Sequence, residues 1–400
     1  MNDTELIAAG LLSESSKIKV CFVLGSAGKY GAERSILELI EGLVKLGVIP
    51  LVILPKNGPL CIQLSRSKIK FKVFYFPKWR SRRVPFIYRI VRNLICVLLA
   101  TRLARVIKKE GCDLVYTSSM VASIGAYAAY VAGKPHIWHS HESEVNNPLM
   151  TYDLPLKVVL NIVEQTSVFF VVVSHALKEF YAPYLKQNKL QVIYQSVKTT
   201  EIMRHPDGIG YDSEFFTAAI VGSLNSWKGQ AEAIDAIAEL IRRGIKARLL
   251  IIGDGPRAYS LLLSEKVKGL GLDQQIIFLG YVANPVNFTS VADVVLVCSH
   301  WEAFGRSAIE AMLIGKPVIG RRGGGGTDEM ILDKVTGLLY DSSENEDLPN
   351  KMQYLYENSA ERLRLGAAAH NWAVLRFTQK RYAEDVNSLL RRAVQPRIQG

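Results

Sequence analysis

Short apolar runs of four to eight residues alternate with longer stretches whose apolar residues recur every three or four positions, and this alternation passes through the chain twice. A run that is apolar at every position, rather than at every second one, needs cover on both faces. That is the situation of a parallel strand with helices packed above and below its sheet. In the first half the pattern predicts strands at Lys19–Leu24, Ile49–Leu54, 72–76, 113–116, 136–138, 168–173 and 191–194. In the second half it predicts strands at 217–221, 248–252, 276–279, 293–298, 317–319 and 337–340. Between the two sets, 198–214 loses the apolar period and concentrates turn formers in His205-Pro206-Asp207-Gly208-Ile209-Gly210, so a domain boundary is expected there. Apolar residues from Trp372 to Leu390 predict a final helix with a face to bury. Two such sheets side by side turn the carboxyl ends of their strands, and the ligand loops that follow them, toward a shared cleft.

Composition narrows the class further. With 400 residues, 49% of them apolar and 22% charged, the chain has material for two or three cores, which excludes disorder, collagen-like repetition and a small disulfide scaffold. Cys21, Cys61, Cys96, Cys112 and Cys298 are odd in number, widely spaced and mostly inside apolar runs, so they read as reduced core thiols in a cytoplasmic protein. The first residues carry Asp3 and Glu5 before any lysine, and no stretch reaches the roughly 20 apolar residues that span a bilayer. The expectation is a chain neither exported nor membrane-spanning.

Three segments carry chemistry. After the first strand, Gly25, Gly28 and Gly31 stand in a turn that opens a helix, so they make either a plain tight turn or a loop whose backbone N–H groups face a phosphate or a sugar. Their spacing is not the dinucleotide fingerprint, and no acid ends the second strand, which counts against an oxidoreductase. After the strand at 217–221, Gly222-Ser223 leads to Lys228-Gly229 and another helix. A lysine there is either solvated or paired with a diphosphate. The third segment runs from Ser299 through Glu302, Phe304, Gly305, Arg306 and Ser307 to Glu310. Its two carboxylates are either a helix-cap acid and a surface acid, or a pair lining one cleft wall and gripping hydroxyls, since an ionised carboxylate accepts two O–H bonds.

Taken in order, Glu302 and Glu310 with Phe304-Gly305 between them, Gly315-Lys316-Pro317, Gly325-Gly326 before Glu329, Gly31-Ala32-Glu33, Gly253-Asp254-Gly255-Pro256 and Lys228-Gly229 resemble the retaining glycosyltransferases of family 4. The likeness spans about residues 18 to 385 and implies an α/β protein of GT-B fold: two Rossmann-like, doubly wound parallel-sheet domains facing a central cleft. The expected units are an acceptor domain over 1–198, a nucleotide-sugar domain over 199–378, and a C-terminal helix over 379–400 returning toward the first. By the resemblance, Gly31, Gly222, Ser223, Lys228, Gly305, Arg306, Ser307 and Glu310 bind the donor. Lys228 clamps its diphosphate, Glu302 holds its sugar hydroxyls and Glu310 its ribose. The family's histidine, counted six residues beyond Pro135, is His141, and it joins Lys228 and Glu302 as a catalytic candidate. Where the family usually has arginine after the glycine, Ser223 stands here, and Arg306 is a candidate to restore the lost charge. The family's Asn-Gly-Val turn between domains reads Gln195-Ser196-Val197 here, and Tyr30 replaces a second glycine.

No Asp-x-Asp motif occurs, so no metal is expected and the donor, a UDP-sugar or GDP-sugar, is the one small molecule implied. His139-Ser140-His141-Glu142 admits a metal reading, which no distant partner completes. The expected activity is hexosyl transfer with retention to a glycan, lipid-linked acceptor in cell-surface polysaccharide synthesis. The alternative is a sugar-nucleotide epimerase or hydrolase of the same fold, and a scaffold with a decayed cleft comes third.

Charge adds a partner. The chain has 49 Lys and Arg against 37 Asp and Glu, a balance of +12, and the stretch from Lys78 to Lys109 holds ten of the basic residues and no acid. With Trp79, Phe86 and Tyr88 among them, these residues read as a helix with a cationic side that attaches peripherally to the anionic cytoplasmic face of a membrane. The other readings are a solvated face of an ordinary helix and, with no reader motif to support it, nucleic-acid binding.

Overall fold

The computed structural model describes residues 17–28, 31–82, 85–141, 150–198 and 214–395. Tyr30, Arg83, Glu142 and nearly all of the expected boundary segment, His205 to Gly210 included, lie outside the described residues.

Among the described residues the first half contributes nine strands: β1 (Lys19–Leu24), β2 (Ile49–Leu54), β3 (Lys70–Val73), β4 (Arg80–Arg82), β5 (Leu114–Ser118), β6 (His136–Ser140), β7 (Met150–Tyr152), β8 (Phe169–Val172) and β9 (Leu190–Val192). Seven of them make one parallel sheet in the order β3-β2-β1-β5-β6-β8-β9. The second half contributes β10 (Phe216–Val221), β11 (Ala247–Ile252), β12 (Ile276–Gly280), β13 (Val294–Val297), β14 (Val318–Arg321) and β15 (Leu338–Tyr340), parallel in the order β12-β11-β10-β13-β14-β15. Strand order reverses between β1 and β5 in one sheet and between β10 and β13 in the other. Those are the two places where loops part to opposite faces and leave a crevice at the strand ends. The apolar runs of the central strands are buried, Val20 to Leu24 and Val294 to Val297 among them, as double helical cover requires.

Two features depart from the sequence pattern. The strand expected at 72–76 is β3 at Lys70–Val73. It is an edge strand whose Lys70 and Lys72 both pair with Glu110, at 2.8 and 2.9 Å, so alternating lysines rather than an apolar run mark it. The antiparallel pair β4–β7 has no signal in the periodicity at all. It is organised by aromatic packing: Trp79 stacks on Trp138 at 5.8 Å, meets Tyr152 edge-on at 5.9 Å, and donates its indole N–H to the carbonyl of Met120.

The helix Gly31–Lys45 buries Ile36, Leu39, Ile40 and Leu43 on β1 and β2, and on its other side receives the helix Gln379–Val394 through Tyr382, Val386, Leu389 and Leu390. The two backbones come close at Gly42, where a Cβ would stand 2.7 Å from that of Ala383. The chain's last described helix therefore packs on the first sheet, after the intervening helix Ser359–Arg376 has packed on the second half.

The basic stretch forms the helix Phe86–Lys109, with Cys96, Ala100, Leu103, Ala104 and Ile107 buried against the helix Ile124–Ala132. Its charges are not arranged as one cationic side. Arg80 precedes it and is buried, Arg92 is held by Asp153 with Nε 2.7 Å from Oδ2, and the exposed cations Arg102, Arg105, Lys108 and Lys109 sit at its carboxyl end. Its amino-terminal turns instead expose Phe86, Ile87, Tyr88, Leu94 and Leu98. Among the described residues no helix is long and apolar enough to cross a membrane.

Candidate functional site

The crevice between the sheets is a cleft of about 590 Å³. Both walls come from loops that leave strand carboxyl ends, and each wall is held in place by backbone constraints that glycine alone meets. Past β10, the loop from Gly222 lies against Gly253, whose φ of +142° and missing Cβ, which would fall 1.9 Å from the carbonyl oxygen of Gly222, admit no side chain. A single turn of 3-10 helix follows at Ser226–Lys228, with the Asn225 side chain accepting from the Trp227 N–H at 3.1 Å. Gly229, at φ +71°, then packs onto the carbonyl of Cys298 at the end of β13. That contact brings the loop of Lys228 beside the loop of Glu302, 74 residues away.

The result is an ion pair on the cleft wall. Lys228 Nζ donates to Glu302 Oε1 at 2.7 Å, and Ser299 Oγ donates to the same oxygen at 2.6 Å. Enclosure raises the Glu302 pKa, but the charge and hydrogen bond of Lys228 with that of Ser299 outweigh it, so the carboxyl sits below its ordinary value and is ionised at neutral pH. Glu302 is fixed at its backbone too, its N–H donating to Gly324 and its carbonyl accepting from Gly326. Three residues on, Gly305 takes φ +88° and opens the helix Arg306–Leu313, leaving the first N–H groups of that helix at the cleft, where Arg306, Ser307 and Glu310 line it.

The Arg306 guanidinium turns to the other half of the molecule. It donates to the Ser196 carbonyl at 3.0 Å and to Glu38 at 3.3 Å, and lies 3.7 Å from Glu310. Glu38 in turn accepts from Ser196 Oγ at 2.7 Å. Arg34, on the same helix as Glu38, reaches Glu310 at 3.5 Å. Arg306, the candidate to replace the missing diphosphate cation, is placed on the cleft with its guanidinium among Ser196, Glu38 and Glu310. Its backbone N–H stands at the helix start, and its charge pairs with Glu38 and Glu310.

On the first sheet's side, Gly31 and His141 line the cleft. Ser118 Oγ is 2.8 Å from His141 Nε2, and the Gln195 amide donates to Nδ1, an arrangement that leaves the proton of the neutral ring on Nε2. Burial, helped by the Arg306 charge, lowers the His141 pKa to about 3, so the ring is neutral. His139 lies beneath it with ring centroids 3.9 Å apart and its own Nδ1 2.7 Å from the Tyr116 hydroxyl. Among the described residues no group of three metal-binding side chains comes together.

One model of a protein family, glycosyl transferases group 1, matches residues 204–372, and a second, glycosyltransferase family 4, matches 30–201. The chain belongs to the family 4, group 1 glycosyltransferases. Relatives of this glycosyltransferase include N-acetyl-alpha-D-glucosaminyl L-malate synthase of Bacillus anthracis, 24% identical over 66% of this chain and 72% of that enzyme. Trehalose synthase of Pyrococcus horikoshii is 30% identical over 53% of this chain, which spans only 56% of that enzyme's length. The solved structure of HepE from Anabaena in complex with UDP is 23% identical, with a TM-score of 0.78 over 94% of this chain and all of that one. A glycosyltransferase from Rickettsia africae superposes with the same TM-score at 19% identity. These likenesses show the GT-B fold.

Of the residues singled out in the glycosyltransferase sequence, Gly31, His141, Gly222, Lys228, Glu302, Gly305, Arg306, Ser307 and Glu310 converge on the one cleft. Ser223 does not. It is exposed, stands outside the lining, and its hydroxyl accepts from Asn225 at 3.0 Å. Sequence reasoning missed Glu38, Arg34 and Ser118. Glu38 and Ser118 are buried polar residues whose partners lie far along the chain, and no spacing rule marks them. The one available signal for Arg34 and Glu38 was their i, i+4 placement on a cleft-facing helix.

Proposed function

We propose that this glycosyltransferase moves a hexose from a nucleotide diphosphate-sugar to a glycan acceptor with retention at the anomeric carbon, and that its own cations and amides, without a metal, carry the diphosphate. The observation that carries the reading is the Lys228–Glu302 pair set against the start of the helix Arg306–Leu313. Each charge of the pair satisfies the other. An entering diphosphate offers Lys228 stronger partners and meets the N–H groups at Gly305, Arg306 and Ser307, while Glu302, released, accepts hydroxyls of the sugar. Glu310, steadied by Arg34 and Arg306, accepts from a ribose diol. His141 contributes a neutral hydrogen-bonding edge rather than a charge.

The step is a displacement on one face. The bond from the anomeric carbon to the β-phosphate oxygen breaks, the acceptor oxygen bonds to that carbon, and the acceptor's proton passes to the departing diphosphate. Positioning and charge neutralisation supply the rate enhancement. Complexes of HepE with UDP and with UDP-glucose make a uridine donor the first to try. The exposed apolar start of the helix Phe86–Lys109 supports an acceptor that is lipid-linked, presented at a membrane to which the protein attaches peripherally on the cytoplasmic face, as in cell-surface polysaccharide synthesis.

The test is a panel of UDP- and GDP-sugars incubated with the protein and a membrane lipid fraction, with and without EDTA. Sugar transferred with unchanged anomeric configuration, in both conditions, is the expected result. Inverted product, or activity abolished by EDTA and restored by a divalent ion, overturns the corresponding part. Isomerised or hydrolysed donor in the absence of acceptor selects the epimerase or hydrolase alternative.

A further inference from the structure

Arg306 and Glu310 belong to the second half of the chain, Arg34 and Glu38 to the helix Gly31–Lys45 of the first, and the four charges meet in one cluster beside the cleft. Two are positive and two negative, so the cluster is neutral as it stands. Arg306 lines the cleft, and its stem crosses Gly31, where a Cβ would stand 3.3 Å from Arg306 Cδ. Its Nε is buried and has no hydrogen-bond partner among the described residues. A guanidinium with an unused donor is a strong phosphate ligand. On the wall of a cleft that takes a diphosphate, it clamps the phosphates unless another group holds it away.

Glu38 is placed to hold it. It is 6% exposed, and three other segments of the chain fix it. Its Oε1 accepts from Arg306 Nη2 at 3.3 Å and its Oε2 from the Ser196 hydroxyl at 2.7 Å. Gln379, opening the C-terminal helix, donates from its side-chain amide to the Glu38 backbone carbonyl at 2.8 Å. Arg306 Nη1 closes the arrangement on the Ser196 carbonyl at 3.0 Å. Neither the carboxylate nor the guanidinium can move without breaking contacts in another segment. A buried ion pair adds little stability over apolar side chains of the same size, so packing alone does not account for a carboxylate at this position.

We infer that Glu38 is a positioning residue for transfer: it holds the Arg306 guanidinium as a strut between the two halves and keeps that cation from clamping the nucleotide diphosphate, so that the nucleotide left after transfer departs. Lys228 and the N–H groups at the start of the helix Arg306–Leu313 carry the phosphates without it. A second clamping cation would hold the donor and the departing nucleotide alike, and binding that is equally tight before and after the reaction adds nothing to turnover. The inference rests on the nucleotide-sugar reading above and adds the residue that sets how tightly the cleft keeps its nucleotide.

The experiment is calorimetric titration of UDP, with uridine as the uncharged control, into the full chain; GDP and guanosine take their place if GDP alone binds the wild type. Glu38→Gln keeps the size of the side chain and removes its charge. It should bind the diphosphate about tenfold tighter than the wild type and the nucleoside no differently, because the freed guanidinium acts on phosphate alone. Glu38→Asp, which keeps the charge, should show no such gain. Glu38→Gln combined with Arg306→Gln replaces the ion pair by two amides, and should fold even where Glu38→Gln alone does not. This double variant should bind the diphosphate as the wild type does. In the transfer assay Glu38→Gln should lower KM for the donor and kcat together, whereas a damaged fold would raise KM. Diphosphate affinity that is unchanged or weaker in folded Glu38→Gln, or a gain shared by the nucleoside, overturns the inference. So does a loss of affinity in the double variant, since Arg306 would then clamp the diphosphate in the wild type. Failure of both nucleotides to bind the wild type overturns the nucleotide-sugar reading itself, and the inference with it.

Discussion

At the residue scale the account turns on Lys228 and Glu302, which lie on loops after two adjacent strands and meet at 2.7 Å. Both are partly accessible, so the pair contributes little to stability, about 0–1 kcal/mol. Lys228→Ala and Glu302→Ala are therefore expected to lower kcat/KM more than tenfold while the melting temperature moves by only a few degrees. Near-normal turnover in either variant would remove that residue from the mechanism. The Arg306 contact with Glu38 behaves differently because Glu38 is buried. Arg306→Ala strands its carboxylate, and urea titration should show a loss of about 2–3 kcal/mol. The buried histidines set a pH dependence. His136 and His141 have folded pKa values of about 3, lowered by burial from the ordinary 6.5. The unfolded chain therefore binds more protons between pH 6.5 and 3. Stability is complete above that window and falls within it by about 1.4 kcal/mol per pH unit for each ring. Denaturation midpoints that hold steady from pH 7 to pH 4 would contradict this. The residues around Glu302 were legible in sequence because strand, loop and helix start are contiguous there. The destination of the Arg306 guanidinium was not, since Glu38 lies 268 positions away on a helix whose periodicity records only its apolar stripe.

At the scale of elements, sequence pattern located the central strands closely, because full burial on both faces writes an uninterrupted apolar run, as in β1 and β10. It failed at the sheet edge, where β3 alternates lysine with apolar residues, and for β4–β7, which is held by a cluster of rings rather than by a buried face. It also misassigned the layout of the helix Phe86–Lys109. Charge and apolarity were expected on opposite sides and are instead at opposite ends, with Arg92 neutralised by Asp153. The membrane proposal accordingly falls on the exposed Leu94 and Leu98. Their joint replacement by glutamate should abolish flotation with anionic vesicles without lowering stability, and a wild-type protein that floats with neither anionic nor neutral vesicles would refute attachment. The helix Gln379–Val394 offers a packing test. Gly42→Ala places a methyl group against Ala383 and should cost about 1–3 kcal/mol, read as a lower denaturation midpoint.

At the scale of the whole molecule, one buried apolar cluster joins Val172 and Leu177 of the first half to Phe304, Met312 and Phe377 of the second, and polar bridges cross beside it. Glu329, near the start of the helix Gly326–Met330 in the second half, accepts from the N–H groups of His175 and Ala176 and from the Tyr194 hydroxyl in the first. With Arg306 to Glu38 and Arg34 to Glu310, these contacts bring both strand-end crevices onto one cleft. The central claim is that Lys228 holds a nucleotide's diphosphate in that cleft. Calorimetric titration of UDP and of GDP into the wild-type chain and into Lys228→Ala tests it most directly. One nucleotide should bind the wild type, and at least tenfold more weakly the variant. Equal affinity for both proteins, or no binding of either nucleotide to the wild type, would contradict it.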